Sequence, residues 1–347
     1  FPEDPWTPAA VQLLADLGFQ SILKERNIQP PEDAAPAGVA ASGRLEAHYE
    51  TLTEAESLEC WVAEALRAPW VALDTETTST NVMRAELVGI SLSHRPGHAV
   101  YLPLGHAPQL CPRPQLTLPE ARRRLAPLLA GRGPKLSGHH AKYDWKILRL
   151  AGFDPVPPAF DTMIASYLLD PDKQSGHGLK TLGMELLGVR MRPIGELIGS
   201  GSRQITMAEV EVEQAAAYAC LDADVTLRLT ERLLGELEGH EKLWKMMQEV
   251  ELPVISVLIE MELGGFRMDV ASLESPRQKV KERLKELCQQ IWDSAGHPFN
   301  ISSPKQVAQV LYEELGLKTG RKGKSGGFST DEAELERLKN EHPIPRL

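Results

Sequence analysis

The stretch Trp70-Val71-Ala72-Leu73-Asp74-Thr75-Glu76-Thr77 reads as an apolar strand that runs out into two acids. In an extended chain, residues i and i+2 point to the same side, so Asp74 and Glu76 share one face. Adjacent carboxylates repel unless a cation is shared between them, and hard oxygen donors of this kind suit Mg2+ or Mn2+. The same spacing also fits an acidic, solvated strand end. The surrounding sequence has to decide.

Working outward, residues 87–93 and 98–104 are two more strand-like runs with short turn-rich joints, which predicts an antiparallel meander with the first. Residues 45–52 form a candidate strand upstream and residues 135–138 a short one downstream. Thr53 with Glu56, and Thr117 with Glu120, have the spacing of a capping box, each opening a helix, through Leu66 and Leu129 respectively. A helix follows near 143–150. Helical pieces are expected at 162–169, 178–187, 207–219 and 222–238, then a long run to about 262, and further helices at 275–295 and 303–315. Residues 8–25 have helical spacing, and the Pro/Ala/Gly-rich residues 30–38 read as a linker. The pattern is α/β followed by a helical extension, divided as 1–44 (helix and linker), 45–240 and 241–347.

The chain has 347 residues, about two domains' worth. No apolar run approaches the ~20 residues of a membrane span, which excludes that class. The formal net charge of −10 argues against gripping duplex nucleic acid over most of the surface, but not against a site where acids hold divalent cations. Cys60, Cys111, Cys220 and Cys288 lie far apart with no C-x-x-C pair, so neither a zinc site nor a disulfide framework is indicated, and a reducing cytosol is expected. The chain opens on Phe1 and ends just after a Pro-rich turn, as expected of a piece of something longer.

Two further segments carry acids. Lys142-Tyr143-Asp144 opens a helix, where an acid equally serves the exposed N–H groups and the dipole. In Tyr218-Ala219-Cys220-Leu221-Asp222-Ala223-Asp224, Tyr218 and Asp222 are i, i+4 and share a helix face. Asp224 lies about 200° round from Asp222 and does not join them.

Asp74 and Glu76 on a first strand, then Asp144, then Tyr218 with Asp222 on a late helix, resemble the three exonuclease motifs of the DnaQ-like (DEDD, tyrosine subtype) superfamily. Gly138-His139-His140-Ala141-Lys142-Tyr143-Asp144, Phe160-Asp161-Thr162-Met163 and the segment from Tyr218 to Thr226 are similar to the proofreading domain of the bacterial DNA polymerase I family (family A, Klenow-type fragment). Phe299-Asn300-Ile301-Ser302-Ser303-Pro304-Lys305-Gln306 and Gly327-Phe328-Ser329-Thr330 resemble the start of that family's thumb. The resemblance spans residues 45–347. It implies a ribonuclease H-like mixed sheet flanked by helices, followed by a partial thumb, with palm and fingers missing.

The resemblance also implies the chemistry: hydrolysis of 3′-terminal nucleotides of DNA with two Mg2+ or Mn2+ ions, Asp74, Glu76, Asp144 and Asp222 as metal ligands, and Tyr218 orienting water. Tyr143 is the stacking candidate for a single-stranded or frayed 3′ end. Thr75, Thr80, His140 and Ile194 join it as DNA contacts, although His140 replaces a usual Asn, Ile194 a frequent Phe, and Thr80 a larger apolar residue. Arg203, in the Gly/Ser loop 199–204, is a backbone-contact candidate. Lys318, Arg321, Lys322 and Lys324 look like a thumb-tip loop for duplex DNA. Asp161 is read as structural, and Arg122-Arg123-Arg124 as a solvated helix face. The implied setting is a monomer in the bacterial cytoplasm, associated with the nucleoid and not with a membrane. Two rival readings stay open: a degenerate domain kept as a DNA-binding scaffold, and an RNA-trimming exonuclease of the ribonuclease D kind.

Overall fold

Paired strands carry the two acids into the middle of a sheet. The structure is a computed structural model and describes Thr7, Val11 and residues 47–318 and 328–347; the expected N-terminal helix and linker fall almost entirely outside these. Six strands, β1 (His48–Thr51), β2 (Trp70–Thr77), β3 (Leu87–Arg95), β4 (His98–Pro103), β5 (Lys135–Gly138) and β6 (Phe160–Asp161), form one mixed sheet in the order β1-β4-β3-β2-β5-β6. The meander β2-β3-β4 is antiparallel, as its short joints require, while β5 and β6 continue the sheet in parallel on the other side of β2. The resulting mixed sheet flanked by helices is the α/β class the sequence implies.

The register sorts the side chains. Leu73 pairs with Leu92 and Leu92 with Val100. This row packs in the main core with Leu58 of α1 (Ala55–Ala65) and Leu125 of α2 (Leu118–Leu129), each fully buried aliphatic contributing about 1.5–3 kcal/mol. Asp74 pairs with Ser91 and Ser91 with Tyr101, forming a row on the opposite face. Tyr101 packs there against Ala215, Ala216, Ala219 and Cys220 of a later helix. Opposite Glu76 the chain needs Gly89, because a Cβ at that position would lie 2.2 Å from the Tyr101 hydroxyl. The small alanines and this glycine let the helix approach the acid-bearing face closely.

Further helices include α3 (Ala141–Leu150), α4 (Thr162–Leu169), α5 (Leu179–Leu187), α6 (Val212–Glu238), α7 (Glu241–Met246), α8 (Leu252–Gly264) and α9 (Val270–Ala295). Several differ from expectation. The box expected at Thr53 and Glu56 does not form: Glu54 is the N-cap of α1 and makes no side-chain cap bond. The box at Thr117 and Glu120 forms fully. The break expected near residues 219–222 is absent, since α6 is one 27-residue helix; Ala-rich sequence there has no breaker, and burial against the sheet holds it. Residues 207–209 are instead a separate 3-10 turn. Arg124, expected on a solvated face, has a side chain only 11% exposed and pairs with Glu59 at 3.1 Å.

Two compact units result, Phe1–Gly265 and Phe266–Leu347. Helix α8 belongs to the first and clamps α3: Glu262 accepts from Lys142 and Lys146, and Glu260 pairs with Arg149. The second unit has its own core of Ile291, Val310, Leu311, Tyr312, Leu338 and Ile344. Among the described residues, no helix is long and apolar enough to cross a membrane.

Candidate active site

Strand β2 delivers Asp74 and Glu76, α3 delivers Asp144, and α6 delivers Tyr218 and Asp222, all to one cavity of about 600 Å³. Glu76, Asp144 and Asp222 are only 6, 3 and 8% exposed. Thr75, Thr80, His140, Tyr143 and Ile194 line the same cavity, and among the described residues no arginine does. Tyr143 donates to the Ser79 carbonyl at 2.6 Å and shares a 2.6 Å hydrogen bond with the Thr77 hydroxyl, which fixes its ring on the wall. Thr80 and Ile194 are exposed at the rim.

Arg203 is exposed and does not line the cavity; its neighbours Gln204, Ile205 and Thr206 do. Lys318 is exposed in the second unit, and Arg321, Lys322 and Lys324 lie outside the described residues.

Asp144 does not cap its own helix. It sits in the first turn of α3 and reaches across to β2, where its Oδ1 accepts from the Thr75 backbone N–H at 3.0 Å and from the Thr75 hydroxyl at 2.6 Å. The start of α3 is in turn set by Asp161. That buried carboxylate accepts from the N–H groups of His140 (3.2 Å), Ala141 (2.7 Å), Met163 (2.9 Å) and Ile164 (3.2 Å), capping α4 and tying it to α3. His140 is thereby held at φ 62°, the left-handed region, where non-glycine residues are uncommon. The structural reading of Asp161 holds. His139 is used the same way: its Nδ1 bonds the Thr162 hydroxyl at 2.8 Å, and burial holds the imidazole well below its ordinary value, at about 3, so it is neutral.

The electrostatics follow from crowding anions where water is scarce. Burial raises Asp74 well above the usual carboxylate range, and the charges of Asp144, Glu76 and Asp222 raise it further. Glu76 is raised by burial and then by Asp222 and Asp144. Burial pushes Asp144 up to about 7 against the pull of its two Thr75 hydrogen bonds, and Asp222 up to about 6 against Lys180 and a hydrogen bond from Tyr218. Tyr218 is pushed far up by burial and by the same anions. Among the described residues, no group of three or more His, Cys, Asp or Glu side chains is already gathered as a metal-ligand set. The donor chemistry nevertheless fits a hard divalent ion: oxygen ligands only, buried, and short of positive charge.

Several wall residues have no motif behind them. Thr77, Thr78 and Ser79 follow the two acids directly, and a hydroxyl run leaving a strand end was a usable signal. Ile198, Gln204, Ile205, Thr206 and Met207 reach the wall through the chain's return before α6 and carry no local pattern.

Comparison with known proteins decides the assignment. The family described as 3′-5′ exonuclease matches residues 49–238, which hold the sheet, α1 to α6 and the whole cavity. The chain belongs to the 3′-5′ exonuclease family. Residues 270–347 match the family described as DNA polymerase family A. DNA polymerase I of Pseudomonas aeruginosa is 33% identical over all of this chain and 38% of its own length, and that of Chloroflexus aurantiacus is 37% identical over 99% of this chain and 34% of its own. The chain thus spans about a third of the length of these two curated relatives. A solved structure, the POL domain of Pol1 from M. smegmatis in complex with DNA primer-template and dNTP, superposes with a TM-score of 0.59 at 25% identity, covering 86% of this chain and 46% of that one. The exonucleases of this family are in general metal-dependent.

Proposed function

We propose that this chain is the proofreading part of a DNA polymerase I: a Mg2+- or Mn2+-dependent exonuclease that removes nucleotides from a single-stranded or frayed 3′ end of DNA. One observation carries the reading. Four carboxylates from three separate segments line one open cavity with Tyr218, and among the described residues no arginine pairs with them. A scaffold that had lost its chemistry has no reason to keep four anions crowded against burial.

Asp74, Glu76 and Asp222 would hold one divalent ion, with Asp74 and Asp144 holding the second. Such a pair, when bound, stabilises the attacking and leaving oxygens of a phosphodiester displacement. The rest is done by the chain's own groups. Tyr218, with Glu76, orients the attacking water. Thr75 holds the Asp144 carboxyl in place through two donors. The Tyr143 ring offers a face on which a terminal base stacks, a contact tolerant of sequence. His140, Thr80 and Ile194 frame the mouth through which the strand end enters. Arg203 and, in the second unit, Lys318 with its neighbours 321, 322 and 324 supply backbone contacts, the latter to duplex DNA. Along the sequence, residues 1–44 serve as an N-terminal helix and flexible linker, 45–240 as the nuclease and 241–347 as the helical start of the polymerase domain. The protein acts as a monomer at the nucleoid.

Matched 3′-labelled single-stranded DNA and RNA oligonucleotides in Mg2+ test the substrate. DNA is degraded stepwise from the 3′ end and RNA is spared or slow. RNA degraded faster than DNA replaces this reading with the ribonuclease D one.

A further inference from the structure

The four carboxylates and Tyr218 face the cavity, and Lys180, which is not part of the cavity lining, contacts Tyr218. Lys180 lies in the first turn of α5, a helix closed by Gly188 at φ 68°. That left-handed turn sends the chain back, so that the Arg192 carbonyl accepts from Lys180 Nζ. The same Nζ donates to the Tyr218 hydroxyl oxygen at 2.8 Å and lies 4.3 Å from the centre of the Tyr218 ring. Lys180 is half-buried, and no motif of the exonuclease reading includes it.

We infer that Lys180 is a positioning residue for the hydrolysis, gripping the Tyr218 oxygen so that the phenolic O–H is aimed at Asp222. Donor and acceptor counts set the direction. An ammonium only donates, so Tyr218 Oη accepts from it. The single phenolic hydrogen is then free for Asp222, the carboxylate one turn along the same face of α6 and on the same cavity wall. The chain Lys180–Tyr218–Asp222 therefore has one direction only. The ring is held from its face by the ammonium as well as from its oxygen, a combination that fixes both the torsion and the tilt. The Arg192 carbonyl accepts from the same ammonium and so helps hold it at the Tyr218 oxygen. With Lys180 removed, Tyr218 loses the contact from outside its own helix that fixes which way its oxygen points.

This inference rests on the exonuclease reading, and the experiment separates the two. The parent protein, Lys180→Met, Lys180→Arg, Tyr218→Phe and the double variant Lys180→Met/Tyr218→Phe are compared on a 3′-labelled single-stranded DNA oligonucleotide in Mg2+. Lys180→Met lowers kcat about tenfold, the scale of one charge-assisted hydrogen bond, with KM changed less than about twofold. Lys180→Arg recovers most of the loss. Added to Tyr218→Phe, Lys180→Met changes kcat less than about twofold, because the oxygen it held is gone.

A crystal structure of Lys180→Met without metal shows the Tyr218 ring turned away from Asp222. An unchanged kcat in Lys180→Met, losses that multiply in the double variant, or a Tyr218 ring that does not move would each overturn the inference. Should Lys180→Met not fold, Lys180→Gln carries the same comparisons. A parent protein inactive on every 3′ end counts against the exonuclease reading, and the ring position then still decides this one.

Discussion

Replacing Asp222 by asparagine should change how the stability of the first unit responds to pH. Asp222 is 8% exposed on α6, and burial moves its carboxyl from an ordinary 3.8 to about 6 in the folded protein. The unfolded chain ionises near the ordinary value. Between the two, the native state keeps a proton that the unfolded chain has released, so stability falls as pH rises. The sign is opposite to that of a salt-bridged aspartate. The penalty is absent well below the unfolded value and complete above the folded one. At 1.36 kcal/mol for each pH unit of displacement, it amounts to about 3 kcal/mol.

Urea unfolding in chelator-treated buffer, stepped from about pH 4.5 to 7.5, measures it as a difference between the parent and Asp222→Asn. The parent should lose about 2–3 kcal/mol relative to the variant across that range. Added Mn2+ at the upper end should offset most of that loss in the parent alone, since an ion at 100 times its Kd stabilises the native state by about 2.7 kcal/mol and the variant has lost a ligand. Parallel profiles, or a parent that gains on the variant as pH rises, would refute the claim that these acids are crowded and uncompensated.

Four further outcomes follow from the same geometry. Asp161→Ala leaves four backbone N–H groups without their acceptor and should cost at least about 3 kcal/mol in urea unfolding; a cost under about 1 kcal/mol would show that Asp161 does not organise α3 and α4. Gly89→Ala drives a methyl into the Tyr101 hydroxyl and should destabilise by about 1–3 kcal/mol, seen as a lower Tm; an unchanged Tm would contradict the close approach. Tyr218→Phe should slow Mg2+-dependent cleavage without ending it, as befits a group that orients water; complete loss would assign it a larger role. Binding of single-stranded DNA should be weak and fall with added salt, and nanomolar duplex binding at physiological salt would run against the acidic balance of the chain.

The sequence reveals its fold where pattern is local. The alternation ending in Asp74 and Glu76, the short joints of the meander and the box at Thr117 are all set by neighbours a few residues apart, and they appear as expected. At Thr53 the same local signature failed, because the helix begins one residue later, with Glu54 and not Thr53 at the N-cap. The continuity of α6 through residues 219–222 comes from packing on the sheet, which no propensity records.

The site divides similarly. Its acids and Tyr218 announce themselves because the chemistry needs those residue types in that order. Residues such as Lys180 and Gln204 acquire meaning only when distant segments meet. Lys180 is 38 positions from Tyr218, and only the reversal at Gly188 and the line of α6 bring them together.

The most direct test of the account is the release of label from a 3′-labelled single-stranded DNA oligonucleotide by the parent protein and by Asp74→Ala, both at saturating Mg2+. The parent should release it and lose the activity when the ion is chelated, while Asp74→Ala should release none. Equal release by the two proteins would mean that the carboxylate cavity is not where the phosphodiester is cut.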